Sequence, residues 1–317
     1  MKRSRRILVS PLDWGLGHAS RLSVVVGHLL SRGHEVVLAG SGASLSLLQA
    51  DFPNLPSVSL KSFSPCISEG HFLWLRIAVQ SPLLLFSIWR EHRQTAQIVA
   101  DHRIDTIISD NRYGVRSRLC RSYIITHQLR PLVATHAPQF LNSLLSSILC
   151  HWIRRFDACL VPDYQVGGLS GRLSSPVPKG IRAHAIGILS RLAFQSNSVS
   201  SDDEKIGYLG IASGAEPGRT QFVSYLVNLF SQQSARCVIV SGAGNAVSTN
   251  KNITIMGYAD AATLQSLISR SQHIVCRSGY STLMDLYALH RNATLVPTLG
   301  QAEQEYLAAR WATLHAK

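Results

Sequence analysis

Short, unbroken apolar runs alternate along this chain with longer stretches whose apolar positions recur every three or four residues. "RRILVSPL" is compact and rich in β-branched residues, and it predicts a buried strand. "ASRLSVVVGHLLSRG" carries the helical period and ends at Gly33, a residue suited to closing a helix. "HEVVLAG" is again strand-like. Strand, loop, helix and strand in that order make the βαβ unit of a parallel sheet. Three further runs, "IDTIISD" (Ile104–Asp110), "SYIITHQL" (Ser122–Leu129) and "FDACLVPD" (Phe156–Asp163), end in polar residues. Open α/β sheets place their ligands just beyond such carboxyl ends.

The pattern breaks at "SRLAFQSNSVSSDDEK", which is polar and serine-rich and reads as a linker. It then restarts. "KIGYLGIASG", "ARCVIVSG", "NITIMGY", "QHIVCRSG" and "ATLVPT" predict strands. "TQFVSYLVNLFSQQ", "AATLQSLISRS", "STLMDLYALH" and "QAEQEYLAARWATLHA" predict helices. With 317 residues, two domains are expected, 1–190 and 191–317, each an α/β domain with a parallel sheet.

Composition narrows the partners. Lys and Arg number 31 against 18 Asp and Glu, a formal net charge of +13, and such a surplus attracts anions. No basic-plus-aromatic signature of RNA binding accompanies it, so a phosphorylated small molecule or an anionic membrane surface fits better than nucleic acid. The six cysteines are scattered without a C-x-x-C or a His/Cys cluster, which predicts neither a zinc site nor a disulfide framework and suits a reducing cytoplasm. The basic N-terminus turns polar too soon for a signal peptide. "FLWLRIAVQSPLLLFSIWR", Phe72–Arg90, is interrupted by Arg76, Gln80 and Pro82 and is too broken to span a bilayer, which takes about 20 apolar residues. It reads either as a core helix or, through its Trp and Arg residues, as a peripheral membrane contact.

Candidate chemistry gathers at three strand-to-helix turns. In "DWGLGHASR", Gly15 and Gly17 allow a ligand to approach the backbone, and a helix N-terminus offers N–H groups and a positive dipole end. A dinucleotide fingerprint needs a third glycine where Ser20 stands and an acidic residue where the next strand ends in Ala39-Gly40, so NAD binding is disfavoured. His18 at a helix start is held neutral by the dipole; it reads either as a general base or as a residue that secures the loop. In "SGAEPGRT", Ser213 and Gly214 can present N–H groups to a phosphate and Arg219 can add a charged donor, or the stretch is an ordinary surface turn. The third turn is Arg277-Ser278-Gly279, with Asp285 six residues on, where a carboxylate can accept from two ribose hydroxyls. Gln301, Glu303, Gln304 and Glu305 cluster after the next strand, as sugar ligands or as a solvated helix start. Asp110, Arg112 and His127 end two strands of the first half and stand near its presumed crevice, on the side of an acceptor, or else stabilise loops.

Taken together, "GLGHASR", "RSGYSTLMDL" and "PTLGQAEQEYLA" resemble the MurG-like N-acetylglucosaminyltransferases of glycosyltransferase family 28, and the likeness runs over nearly the whole chain. The resemblance implies a GT-B fold: two Rossmann-like domains facing a central cleft, the first holding the acceptor and the second a UDP-sugar. It implies that Asp285 takes the ribose, that Ser213, Gly214 and the Arg277–Gly279 turn approach the diphosphate or uracil, that Gln304 and Glu305 face the donor sugar, and that helix N-termini with Arg219 or Arg277 stabilise the leaving diphosphate. Gly15 and Gly17 belong to the same donor-approaching backbone. It also implies an inverting transfer without a metal or other cofactor, in which His18, or Asp13 in its place, deprotonates a hydroxyl of a glycan or lipid-linked acceptor. The chain departs from the family at Asp285, where Glu is usual, and at "SGAEPGRT", which is not the usual glycine-serine-glutamine-glycine loop. Three rivals remain at this point: a UDP-N-acetylglucosamine 2-epimerase, a non-catalytic nucleotide-sugar or glycan binder, and a nicotinamide-dependent oxidoreductase, which measurable NADH binding would revive.

Overall fold

The computed structural model describes residues 4–61, 73–132, 139–194, 205–214, 216–244 and 246–315. They divide into two compact units, the first ending at Leu189 and the second beginning at Ser190.

The first unit runs β1 (Arg6–Ser10), α1 (Leu16–Ser31), β2 (Glu35–Gly40), α2 (Gly42–Asp51), β3 (Ser57–Ser59), α3 (Leu73–Asp101), β4 (Thr106–Asp110), β5 (Arg121–Ile125), α4 (Gln139–Ile153), β6 (Ala158–Val161) and β7 (Ala183–Ala185). Its seven strands form one parallel sheet in the order β3-β2-β1-β4-β5-β6-β7. The unbroken apolar character of β1 and β2 follows from burial on both faces. Ile7, Val9, Val36 and Leu38 pack under α1 and α2 with Leu22, Val26 and Leu48. The alternate residues Leu8, Val37 and Ala39 pack on the opposite face with Ile98 and Val99 of α3. Each fully buried aliphatic side chain contributes about 1.5–3 kcal/mol, so a polar residue on either face would be costly.

The second unit runs β8 (Ile206–Ile211), α5 (Gly218–Phe230), β9 (Cys237–Val240), β10 (Val247–Asn250), β11 (Ile253–Met256), α6 (Ala261–Arg270), β12 (Ser271–Cys276), α7 (Tyr280–Ala288), β13 (Thr294–Leu295) and α8 (Ala302–His315). The sheet order is β10-β11-β9-β8-β12-β13; only the edge strand β10 is antiparallel. Phe222, Leu226 and Phe230 of α5 cover one face together with Cys237, Ile239 and Val275.

In each unit the strand order reverses beside the first strand, between β1 and β4 and between β8 and β12. These are topological switch points, and the loops that leave their carboxyl ends diverge to open a crevice. The α/β class with parallel sheets predicted from the sequence is the fold observed.

Local boundaries differ from the prediction. Helix α1 begins at Leu16 rather than Ala19, because Gly15 takes φ 144° as its N-cap, a conformation that L side chains rarely adopt. Gly17 and His18 therefore lie inside the first turn. The Phe72–Arg90 segment falls within the single helix α3, Phe72 itself lying outside the described residues. Ile88, Ile98 and Val99 of this helix are buried, whereas Val79, Leu83, Phe86 and Trp89 are exposed. Of the predicted linker, Arg191–Phe194 forms a 3-10 turn and residues 195–204 lie outside the described residues. Among the described residues five cysteines are free, and no helix is long and apolar enough to cross a membrane.

Candidate functional site

At the switch point of the first sheet, α1 and β4 bring three charged or titratable side chains together. His18 sits in the first turn of α1, and Arg21 follows it one turn later on the same helical face. Asp110 is the last residue of β4 and is fully buried. His18 Nδ1 lies 2.9 Å from Asp110 Oδ1. Arg21 Nε donates to Asp110 Oδ2, and Arg21 Nη2 donates to Oδ1. Arg21 Nη2 is also 2.8 Å from His18 Nδ1. His127, just beyond β5, is buried and close enough for its charge to act on His18.

The surroundings determine the protonation states. Burial lowers the pKa of His18 below 6.5; Asp110 raises it, and the Arg21 charge lowers it again. The imidazole is thus neutral near pH 7. For Asp110, burial favours the protonated acid, but the Arg21 and His18 charges and hydrogen bonds outweigh it and hold the carboxyl below the ordinary range. An ionised carboxylate only accepts hydrogen bonds, so Nδ1 carries the imidazole hydrogen and Nε2 keeps its lone pair. The His18 side chain retains 19% exposure, enough to be reached from solvent. Such an arrangement can accept a proton at Nε2.

Asp13 and Arg112 make their own contacts in the first unit. Asp13 accepts from Ser44 N at 3.2 Å and Ser41 Oγ at 3.4 Å, and so caps α2 from the preceding loop. Arg112 is fully buried; it donates to Glu91 Oε1 and to the Leu60 carbonyl, both at 2.9 Å, and to Ser10 Oγ at 3.2 Å. It ties α3 to the sheet. A cavity of about 740 Å³ lined by Ile7, Leu29, Ile108 and Tyr123 opens at the amino ends of the strands, away from His18.

In the second unit the predicted residues line the carboxyl edge of β8, β12 and β13. After β8, Gly214 holds φ 106° with open space where a side chain would stand. Arg219 pairs with Glu216 at 2.6 Å and donates to the Gly242 carbonyl at 3.2 Å. After β12, Arg277 stacks over the Phe222 ring at 4.3 Å and donates to the Pro297 carbonyl at 3.0 Å. Ser278 Oγ donates to the Gln304 carbonyl at 2.7 Å. Gly279 caps α7, which presents its N-terminus at this edge.

The loop between β13 and α8 is organised by its own side chains. Gln304 Oε1 accepts from Thr298 N at 2.9 Å, its Nε2 donates to Gln301 Oε1 at 2.7 Å, and Glu305 Oε1 accepts from Gly300 N at 3.0 Å. Asp285, half-buried on α7, accepts from Ser190 Oγ at 2.5 Å through Oδ1. Burial pushes its pKa up to about 6 against the opposing effects of that hydrogen bond and the nearby Arg191 charge. Among the described residues, no three His, Cys, Asp or Glu side chains converge as a metal-binding group.

The sequence reading missed Arg21 and Ser190. Arg21 was legible in principle, standing three residues after His18. Ser190 meets Asp285 across 95 positions, and no local pattern signals that.

No family model matches the chain, and no curated protein matches it. Solved structures do. A UDP-glucosyltransferase from Polygonum tinctorium, in complex with 3,4-dichloroaniline, aligns over 99% of this chain and 84% of its own, with TM-score 0.64 and 12% identity. The glycosyltransferase of kitacinnamycin aligns over 98% and 85%, with TM-score 0.64 and 14% identity. The spinosyn rhamnosyltransferase SpnG, complexed with thymidine diphosphate, aligns over 98% and 84%, with TM-score 0.61 and 17% identity. The fold is GT-B. At these identities the likeness is one of fold, and chemistry must be argued from the side chains.

Proposed function

We propose that the protein is a glycosyltransferase that moves a hexosyl group from a nucleotide-sugar to an acceptor hydroxyl with inversion. The observation that carries this reading is the His18–Asp110 pair at the switch point of the first sheet, in a chain of GT-B fold. His18 Nε2 takes the proton of the acceptor hydroxyl while Asp110 orients the ring and stabilises the imidazolium that forms. The acceptor oxygen attacks the anomeric carbon from the face opposite the leaving group. The bond from that carbon to the phosphate oxygen breaks, and the electron pair leaves with the nucleoside diphosphate. The second unit supplies the donor site: the N-termini of α5 and α7 meet the growing phosphate charge, and Asp285 accepts from the ribose.

A UDP donor, N-acetylglucosamine among its sugars, and a MurG-like relationship follow from the motifs "GLGHASR" and "RSGYSTLMDL". A lipid-linked or glycan acceptor agrees with the +13 charge. Contact with an anionic membrane surface is supported by exposed Val79, Leu83, Phe86 and Trp89 on α3, with Arg93 stacked 4.6 Å from the Trp89 ring. Flotation with anionic vesicles tests that contact; protein left in the aqueous fraction at low salt removes it.

The test of the function is a thermal-shift screen of UDP-, dTDP- and GDP-sugars, followed by turnover of the stabilising donor with a panel of hydroxylated acceptors. Release of nucleoside diphosphate coupled to a glycosylated product is expected. Conversion of UDP-N-acetylglucosamine to its epimer without acceptor, or binding without any turnover, would replace this reading.

A further inference from the structure

We propose that Arg21 is a positioning residue that completes a buried His18–Asp110–Arg21 triad and sets the pH below which His18 ceases to accept a proton. The proposal deepens the reading of His18 as the base and rests on it. Arg21 is 2% exposed, whereas most other arginines among the described residues are exposed or half-buried. Its guanidinium grips both oxygens of Asp110 as a fork, which a lysine cannot reproduce.

The geometry around Asp110 Oδ1 settles where the hydrogens lie. His18 Nδ1, Arg21 Nη2 and Oδ1 form a triangle, with Nδ1 2.9 Å from Oδ1 and 2.8 Å from Nη2. If Nδ1 accepted from Arg21, its lone pair would face the carboxylate oxygen with no hydrogen between them. Both nitrogens therefore direct their hydrogens at Oδ1, and Nε2 alone is basic.

The charge balance follows. A histidine beside a lone buried carboxylate is strongly favoured as a cation. Here the Arg21 and Asp110 charges cancel, so His18 faces a neutral pair. The groups that act on it are Arg21 from its own helix, Asp110 from β4 and His127 from the loop after β5. Only Asp110 favours the cation, and Arg21 offsets it. The base is weaker than a histidine–aspartate pair alone but stays unprotonated to lower pH.

The test is an NMR titration of the His18 imidazole in 15N-histidine-labelled wild type and Arg21→Gln. With Arg21 removed, the unbalanced carboxylate should raise the His18 titration midpoint by about one pH unit or more, and the acid limb of kcat/KM should move with it. An unchanged midpoint overturns the proposal. Should Arg21→Gln fail to fold, Arg21→Lys carries the test, because it keeps the charge and loses the fork. Its His18 midpoint should match wild type while kcat falls about tenfold at unchanged KM; wild-type kcat, or a shifted midpoint, overturns the triad. A wild type that transfers no sugar would remove the base reading, while the titration still decides whether Arg21 governs His18.

Discussion

At His18, burial opposes the imidazolium, Asp110 favours it and Arg21 opposes it again, leaving a pKa below 6.5. His18→Ala should lower transfer by about 10²–10⁴-fold while leaving nucleotide affinity unchanged, measured by initial rates and calorimetry. Asp285 behaves in the opposite sense, its pKa raised to about 6 by burial. A raised carboxyl pKa stabilises the fold fully below its unfolded value of 3.8, and this contribution is lost as pH rises through about 6. Asp285→Asn should therefore raise Tm at pH 7.5, with the gain shrinking as pH falls from 6 toward 4. The same carboxylate should weaken nucleotide binding below pH 6, where it protonates and can no longer accept through both oxygens, and Asp285→Asn should abolish that pH dependence. A Tm gain independent of pH would contradict the assignment. Asp285 was legible from its distance to Gly279, but its raised pKa was not, since Ser190 and the burial around it come from far along the chain.

At the scale of elements, the buried Arg112–Glu91 pair fastens α3 to the first sheet, both side chains being at most 4% exposed. Glu91→Gln would leave a buried guanidinium without its counter-charge and should destabilise the protein by about 3–5 kcal/mol in urea unfolding. Replacing both by apolar residues of similar size should cost far less. The central strands were legible because a parallel sheet buried on both faces leaves an unbroken apolar run. Helix α2 was not, since only Ser44, Leu47 and Leu48 of it are buried, and "GASLSLLQAD" carries too narrow an apolar stripe to announce a helix. Strand β10 was missed for a related reason: all four of its residues are exposed at a sheet edge. Arg112 ends a strand as a ligand-binding residue would, yet it points into the structure, and its partner Glu91 lies on a helix with no sequence signal linking the two.

Across the molecule, the two α/β units share one plan: strands step outward from the first, two in the first sheet and three in the second, and the order then reverses. That plan was legible from alternating strand and helix patterns on either side of the serine-rich stretch, and it places His18 and Asp110 at one switch point and Gly214 and Gly279 at the other. Residue contacts were less legible: Asp13, Gln301 and Gln304 make hydrogen bonds within their own loops that no sequence pattern announces. The formal charge of +13 against an anionic donor predicts that nucleotide-sugar affinity falls as salt rises from 50 to 500 mM, a titration that a charge-independent site would leave flat. The central claim is tested most directly by mass-spectrometric detection of glycosylated product from UDP-sugars and mixed hydroxylated acceptors, with wild type and His18→Ala side by side. Product with wild type, and none above background with a His18→Ala protein that still binds the donor, is the predicted result. Equal product from both proteins would contradict the account.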